Sequence, residues 1–433
     1  MIYLNIIYFL LISWYAYKFL ISEGKIVKSP FDKRDDLLLT GPEMFWVLTF
    51  STGVLAFSVP MAIDLMAIRL MVIMLLCFIG FSIVSHKPIW SLPLKLYAVY
   101  LVWLLVGCIY GPSWGYGIRV FLKYSYPLIF CLFATAAIDN FPTALKSALS
   151  ARWIGTIAVI LSFTPYILRM FFPGVLWYGT ARAIHFISLM TFSIALFFFS
   201  SEKKKNLIYS LLFLFPCCVW IFRTSILGSG VAIMAFALIR WRLKALPIIL
   251  GVLVAGVIAV FTVPELHEKM FFDDVENANL ESFTSGELDL DDVNTNTRIV
   301  MWEFLENMFF DGHKLTGSGT GSVQQYMYTH NVFGGLVVPH SDFVQMRCDN
   351  GLIGMYLYIT FSLLIFCHCF KIYWNTDDDR IKLFAITAGA SLMGVFVTLY
   401  SENTVGFSMA TLSMPYGFYG MTLALNERLN NDL

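Results

Sequence analysis

The sequence predicts an all-α, polytopic membrane protein with about 12 to 13 transmembrane helices. Of its 433 residues, 58% are hydrophobic and only 13% are charged, whereas a soluble domain carries roughly a quarter charged residues. Apolar runs of about 20 residues, the length that crosses a bilayer as a helix, recur along the chain. The 29 basic and 29 acidic residues balance, so nothing in the charge indicates binding to nucleic acid.

The apolar runs divide the chain into three regions. The N-terminus has no basic segment or small-residue cleavage site, so we interpret its first run as a retained helix. We expect a multi-pass region at 1–264, a long loop at 265–350 and C-terminal membrane helices at 351–433. The predicted spans are 2–21, 41–59, 62–84, 92–110, 117–138, 153–172, 184–200, 207–222, 225–241, 245–263, 351–370, 381–400 and 405–425.

Basic residues in the short connections predict the orientation. Counting spans places them on one side, which the positive-inside rule assigns to the cytoplasm. They are Lys25, Lys28, Lys33, Arg34, Lys203, Lys204, Lys205, Arg240, Arg242, Lys244, Lys371, Arg380 and Lys382. The loop at 265–350 is therefore expected outside.

Arginines also occur at the opposite, outer boundary, where the same rule predicts few. They are Arg119, Arg169, Arg182 and Arg223. As a set they favour binding of an external anion; the alternative is that each pairs locally or extends to lipid headgroups. Two acidic features have simpler interpretations: Asp64 is expected to cap a helix rather than act as a catalytic acid, and the Asp377–Asp379 run is expected to be a solvated turn rather than a metal site.

The long loop has two halves. Its first half, 265–292, is strongly acidic and is expected to be a solvated segment rather than a calcium loop, because it lacks the terminal Glu of an EF-hand. The second half has helical spacing of apolar residues at 297–310, followed by Gly317, Gly319 and Gly321. The glycine turn is either an anion-binding nest of N–H groups or a flexible connection. Because Cys348 is the only loop cysteine, packing rather than a disulfide must order the loop.

A candidate catalytic group lies at the end of this loop. Pro339 suits the first turn of a helix, and on such a helix His340, Val344 and Arg347 would share one face. Imidazole accepts a hydroxyl proton near neutral pH, and arginine binds phosphate oxygens bidentately. This combination fits transfer of a sugar from a diphosphate carrier to a hydroxyl, although spacing alone equally allows a structural His340.

Several motifs around these residues resemble the O-antigen ligase/polymerase superfamily of bacterial membrane glycosyltransferases. The resemblance rests on Arg298 with Trp302, on TGSGTG at 316–321, on PHSDF at 339–343 with Gln345, and on NGLIG at 350–354. Weaker matches are FRTSILG, which contains Arg223, and GTARAIHF, which contains Arg182. The chain departs from the family at Ser341 and Asp342, where many members have Asn.

The resemblance implies a GT-C-like, metal-independent and cofactor-free transferase in the bacterial cytoplasmic (inner) membrane, with its long loop in the periplasm. The implied donor is an undecaprenyl-diphosphate-linked oligosaccharide held in the membrane lipid. His340 matches the essential loop histidine of the family. Arg223, Arg298 and Arg182, with Arg347, are the candidate diphosphate-binding residues, and Asp342 and Gly319 are candidates for positioning the acceptor.

Three functions remain open from the sequence. A Wzy-type polymerase would transfer the growing O-antigen or exopolysaccharide chain en bloc onto the next lipid-linked repeat, with a Wzz-type chain-length regulator as a candidate partner. A WaaL-type ligase would transfer the finished chain to lipid A core or to protein. A lipid-linked sugar flippase or transporter ranks last, because its functional polar groups would lie at mid-membrane. The polar loop favours the polymerase, since it suits a hydrophilic glycan acceptor.

Overall fold

The computed structural model of the protein describes residues 27–28, 36–37, 50, 74–75, 77–82, 84, 86–171, 183–219, 222–271, 298–330, 332–333 and 336–431. The first predicted span, all of the second except Phe50 and most of the third therefore lie outside the described residues. So do Asp64, Arg182 and the acidic segment from residue 272 onward.

The described chain is almost entirely helical, which confirms an all-α, polytopic membrane protein. The two strands in this part are two residues long, Val27–Lys28 and Asp36–Leu37, and pair antiparallel. The helices are α1 Leu92–Tyr110, α2 Trp114–Ala137, α3 Phe141–Phe171, α4 Phe186–Phe199, α5 Lys203–Val219, α6 Arg223–Trp241, α7 Leu246–Thr262, α8 Pro264–Met270, α9 Arg298–Phe309, α10 Ser322–His330, α11 Asp342–Asn375, α12 Asp379–Thr398, α13 Ser408–Thr411 and α14 Ser413–Asn431. Short 3-10 turns occur at Ala183–His185, Arg242–Ala245 and Val405–Phe407.

Five helical segments in the described chain are long and apolar enough to cross a membrane. They are Leu92–Tyr110, Trp114–Ala137, Arg223–Thr262, Asp342–Asn375 and Asp379–Thr398, where Arg223–Thr262 joins α6 and α7. The helix α1 has the bounds that hydropathy predicts. Because α7 has no buried side chain, it lies at the edge of the bundle.

Two predicted spans differ from the structure. The helix α3 starts at Phe141 rather than at 153, because the side chain of Asn140 caps it by accepting a hydrogen bond from the N–H of Thr143 (2.9 Å). The first turns of α3 are polar, so a prediction from hydropathy does not include them. The last span was expected at 405–425, but the chain makes short turns before α14 begins at Ser413. There the Thr411 hydroxyl donates to the Thr404 carbonyl (2.8 Å), which folds the segment back.

The helix α12 is at the centre of the bundle. It packs against α4, α6, α11 and α14, while α2 packs against α1 and α14. Small residues allow the closest contact between helices. Gly228 on α6 and Gly394 on α12 lie so near each other that a Cβ added to either glycine would clash with the carbonyl oxygen of the other glycine. Such backbone contact is a usual source of helix association in membranes, where dispersion replaces the hydrophobic effect.

The second half of the long loop is folded around a small apolar core of its own, as predicted. The helix α9 and α10 pack on the first turns of α11, and their buried side chains form what we call the loop core: Met301, Leu305, Val323, Met327, Val344 and Cys348. All eight cysteines lie in the described chain, and none of them forms a disulfide bond. Packing and hydrogen bonds therefore order this region without a disulfide.

The helix α11 is interrupted at Gly351, and the break separates its loop part from its membrane part. Gly351 has φ +66° and ψ −168°, a conformation that residues with a Cβ rarely adopt. The segment before the glycine turn crosses the helix there: the N–H groups of Leu352 and Ile353 donate to the carbonyls of Lys314 (2.9 Å) and Leu315 (3.2 Å). The break thus docks the loop directly onto the start of a membrane helix.

The glycine turn at 317–321 is an N–H nest, but its anion is part of the protein. The N–H groups of Gly321 (3.1 Å) and Val323 (2.9 Å) donate to the two carboxylate oxygens of Asp349, which is fully buried. The prediction that backbone N–H groups of this turn bind an anion is confirmed, whereas the alternative of a flexible connection is wrong. An external anion has no access to donors that Asp349 already occupies.

The Asp377–Asp379 run has a structural role, as expected. Asp378 is the N-cap of α12 and accepts hydrogen bonds from the backbone N–H (2.8 Å) and the guanidinium of Arg380. Partial burial acts to raise the pKa of Asp378, but the hydrogen bonds from Arg380 outweigh it and hold that pKa below its ordinary value.

The break at Gly351 can be tested by adding one methyl group. We expect Gly351→Ala to lower stability by more than about 2 kcal/mol, because the new Cβ would collide with the Leu315 carbonyl at a positive φ. Gly256→Ala is the matched control, since Gly256 lies in α7 with open space around its Cβ position. Thermal unfolding of the purified proteins in detergent would measure both; equal stability of the two variants would contradict this role of Gly351.

The nest can be tested at its carboxylate. Asp349→Asn replaces one accepting oxygen by a donor that faces a backbone N–H, which should destabilise the glycine turn by about 1 to 3 kcal/mol. Hydrogen exchange at 317–323 would report the loosening. Asp311→Asn is the control, because Asp311 is exposed and its 3.7 Å pair with Lys314 is worth under about 1 kcal/mol. Unchanged exchange in Asp349→Asn would refute the nest.

Candidate functional site

His340 lies just before α11 rather than on it. The helix begins at Asp342, and its N-cap is Ser341, whose side chain accepts a hydrogen bond from the N–H of Val344 (3.2 Å). His340 has φ +51°, in the left-handed region that costs a non-glycine residue of order 1 to 3 kcal/mol. The prediction that His340, Val344 and Arg347 share one helical face is therefore wrong, because the serine cap starts the helix two residues late.

Hydrogen bonds on both sides hold His340 in this conformation. The indole N–H of Trp302 donates to the Pro339 carbonyl (2.7 Å). On the other side, the N–H of Asp342 donates to the Leu399 carbonyl (2.9 Å). A strained residue persists only where its surroundings over-determine it, so these contacts indicate that the position of His340 is fixed.

Glu402 is the immediate partner of His340. Its Oε1 lies 3.3 Å from the imidazole Nδ1, and the two side chains are only 18% and 23% exposed. With Nδ1–H directed at the carboxylate, Nε2 becomes the nitrogen that can accept a proton. Because both side chains are partly buried, the attraction between the imidazole and the carboxylate is stronger than it would be in bulk water.

Sequence reasoning did not identify Glu402, although one signal was present. The predicted spans leave the short connection 401–404 on the same side as the long loop, but nothing in the sequence places it next to His340. In the structure, Asp342 holds the 401–404 segment next to His340. Its buried carboxylate accepts the N–H of Val405 (2.9 Å) and of Thr404, so it fixes the segment that carries Glu402.

Two predicted arginines lie around the same segment. Arg298, at the start of α9, donates to the Ser401 carbonyl (2.6 Å), one residue from Glu402. Arg223, at the start of α6, donates to the Lys269 carbonyl (2.5 Å), and the positive charge of Arg298 acts on it. The two guanidinium groups are therefore near enough to sense each other's charge, and both would attract an anion bound in this region.

The other predicted site residues are placed differently. Arg347 forms an ion pair with Glu306 and lies over the Phe310 ring (5.1 Å), so its guanidinium is engaged with residues next to the loop core. Gly319 (φ +103°) is pressed against Gly111 at the end of α1. This contact makes Gly319 a docking point between the loop and the bundle. Asp342 is buried and its carboxylate is held by backbone donors, so it fixes the segment that follows Glu402.

The arrangement combines a fixed base with a cationic surface. An imidazole oriented by a carboxylate can remove a proton from a hydroxyl group. Arginine N–H groups nearby can hold the oxygens of a phosphate or diphosphate and stabilise charge that develops there. These are the two groups that transfer from a phosphorylated donor to a hydroxyl requires.

Part of the chain is similar to a known protein family. Residues 208–359, about a third of the chain, match the model of the O-antigen ligase family. No curated protein sequence matches the chain significantly. The matched residues include Arg223, Arg298 and His340, whereas Glu402 lies beyond them. The match confirms the resemblance, seen in the motifs, to the O-antigen ligase/polymerase superfamily.

Proposed function

We propose that the protein is a polysaccharide polymerase. It transfers an O-antigen or exopolysaccharide chain en bloc from undecaprenyl diphosphate to a hydroxyl of the next lipid-linked repeat unit. The observation that carries this proposal is the half-buried His340–Glu402 pair, with Arg298 hydrogen-bonded to the residue next to Glu402. This geometry supports a base and an anion site that both lie beside the 401–402 segment.

The donor diphosphate binds between Arg223 and Arg298. Its negative charge is attracted by both guanidinium groups, and each charge-assisted hydrogen bond contributes about 1.5 to 3 kcal/mol. The bond between the anomeric carbon and the diphosphate oxygen breaks during transfer. The arginines then stabilise the leaving diphosphate as its charge grows, which favours the transition state over bound donor.

His340 activates the acceptor. Its Nε2 removes the proton of the incoming sugar hydroxyl while that oxygen bonds to the anomeric carbon. The imidazole becomes positively charged, and Glu402 on Nδ1 stabilises this charge and keeps the ring oriented. No covalent bond between protein and sugar is needed.

A ligase is the second candidate. The family whose model matches is described as an O-antigen ligase, and a ligase would use the same donor and the same base. The two differ in the acceptor, which is lipid A core or a protein for the ligase. The polar loop around His340 supports a hydrophilic glycan acceptor and favours the polymerase.

The setting proposed for this reaction follows the charge pattern of the sequence. The protein lies in the bacterial cytoplasmic membrane, with the 265–350 loop in the periplasm between the multi-pass region 1–264 and the helices 351–433. A Wzz-type chain-length regulator is the proposed partner. Neither a metal ion nor a cofactor has a part in the proposed step.

A surface-glycan gel from the host lacking this gene tests the assignment. Wild-type protein should restore the ladder of long chains, while His340→Asn should not, because Asn tolerates the left-handed backbone but cannot act as the base. We expect activity to fall by about 100 to 10,000-fold. The variant should insert normally, which the amount of protein in the membrane will verify; a wild-type ladder from it would refute the role of His340.

The same gel separates the two candidate functions. In cells without the gene, core carrying a single repeat would identify the polymerase. Bare core, with long chains retained on the lipid carrier, would identify the ligase. An unchanged ladder would exclude both functions for that glycan.

The role of Glu402 in the reaction can be tested with a substitution that keeps the size of the side chain. Glu402→Gln keeps the size of the side chain but removes the charge that stabilises the imidazolium, so we expect kcat to fall about 10 to 100-fold with KM little changed. Glu402→Asp should recover part of the loss. Glu303→Gln, at an exposed position on α9, is the control and should retain full activity. Equal kcat values in Glu402→Gln and wild type would contradict the pairing.

A further inference from the structure

An exposed tyrosine lies in the short segment that carries Glu402. Tyr400 follows the end of α12, and its side chain is 62% exposed. The next residue, Ser401, accepts the hydrogen bond from Arg298. The residue after that, Glu402, pairs with His340. The proposed chemistry does not use Tyr400, although its ring belongs to the segment that the arginine and the histidine both contact.

The Tyr400 ring packs against Trp302 of α9. The ring centroids are 5.7 Å apart and the ring planes cross at 71°, which is an edge-to-face contact. The indole is itself fixed, because its N–H donates to the Pro339 carbonyl (2.7 Å), next to His340. An edge-to-face contact covers at most one face of a ring, so the exposure of Tyr400 leaves it an open aromatic face in a fixed position.

Two residues of α9 hold the same segment. Arg298 and Trp302 are four residues apart, so they lie on one face of the helix, a turn from each other. Arg298 donates to the Ser401 carbonyl, while Trp302 packs on Tyr400. The N–H of Asp342, at the start of α11, donates to the carbonyl of the residue just before Tyr400 (2.9 Å). The ring is therefore preorganised beside a guanidinium and needs little ordering when a ligand binds.

A membrane-interface anchor is the simpler explanation of an exposed tyrosine, because tyrosine is common where a bilayer meets water. That role explains the exposure of Tyr400 but not the packing of its ring on a helix of the loop. Tyr356 provides a comparison: it is similarly exposed (58%) and lies just past the break at Gly351. Tyr356 belongs to the membrane part of α11 and not to the segment that Arg298 contacts.

An aromatic ring beside a phosphate-binding group suits a sugar that is joined to a phosphate. Sugar rings have faces made of C–H groups, which pack on the electron-rich face of an aromatic ring. During glycosyl transfer, positive charge also develops on the reacting sugar, and an aromatic face attracts positive charge. The Tyr400 ring can therefore bind such a sugar and stabilise it further as its bond to the diphosphate breaks.

The order of residues along the segment indicates which sugar the ring binds. Ser401 lies between Tyr400 and Glu402, and consecutive Cα atoms are only about 3.8 Å apart. In the proposed reaction, the first sugar of the donor lies between the diphosphate at Arg298 and the hydroxyl that His340 activates. We infer that the Tyr400 ring stacks on this first donor sugar. The inference rests on the proposed function, because it adds a sugar subsite to the same donor.

Binding of two matched lipids to the purified full chain tests the inference. One is undecaprenyl diphosphate, and the other is the same lipid carrying only the first sugar of the host's repeat unit. Tyr400→Leu removes the ring but keeps an apolar side chain, so it should bind the sugar-bearing lipid about 3 to 10-fold more weakly than wild type. It should bind the sugar-free lipid as wild type does, which also shows that the variant is folded. Tyr400→Phe keeps the ring and should bind both lipids normally.

Tyr356→Leu is the matched control and should bind both lipids as wild type does. Wild-type affinity of Tyr400→Leu for the sugar-bearing lipid would overturn the inference. An equal loss for both lipids, or an equal loss in Tyr356→Leu, would also overturn it, because the tyrosine would then act as an interfacial anchor. A loss that appears only with the complete repeat unit would place the ring against a later sugar and overturn the assignment to the first.

Arg298→Gln separates failure of the sugar subsite from failure of the proposed function. It should weaken binding of both lipids on the order of tenfold, because it removes a charged contact with the diphosphate that they share. Weakened binding in Arg298→Gln together with wild-type binding in Tyr400→Leu would overturn the sugar subsite and leave the proposed function standing. If Arg298→Gln binds both lipids normally, or wild type binds neither, the proposed donor site fails and the inference fails with it.

Discussion

A carboxylate can be buried only where hydrogen-bond donors replace its water, and two such carboxylates organise this protein. Asp342 and Asp349 lie at the two ends of the short helical stretch before Gly351, and both are buried. Asp342 receives backbone N–H groups from the segment before α13, and Asp349 receives them from the glycine turn. One stretch of helix thus fixes two separate loops, each through an anion whose desolvation would otherwise be costly. The fixed loops in turn determine where Glu402, Trp302 and His340 lie.

This dependence explains why motif residues differ in their roles. His340 and Arg298 face the proposed chemistry, whereas Asp349, Gly351 and Gly319 hold the loop on the bundle. Arg347 has the charge expected of a phosphate ligand, but Glu306 and Phe310 already occupy it. Residue type alone does not separate these roles, because the same guanidinium serves an internal ion pair or an external substrate.

The fold class and most span positions in the described chain followed from hydropathy, since a bilayer imposes length and composition on any helix that crosses it. The hydrogen bonds that shape the candidate site were harder to predict from the sequence. Both Pro339 and Ser341 are residue types that can start a helix, and in the structure Ser341 is the cap, which leaves His340 outside α11. The carboxylate bound by the glycine turn belongs to Asp349, 28 residues after Gly321. Glu402 is 62 residues from His340. Contacts over such separations depend on packing that one sequence does not reveal, although the residue types needed for a base and an anion site were recognisable.

The lack of disulfide bonds among the described cysteines has a consequence for how the protein is made. Cys348 lies buried in the loop core, and neither it nor the other seven cysteines form a disulfide. Many small domains depend on disulfide bonds to become stable. Here buried carboxylates and apolar packing perform that task, so assembly of the loop is independent of thiol oxidases and of the redox state around it. Synthesis in a reducing cell-free system should therefore yield the same loop structure as synthesis in a cell.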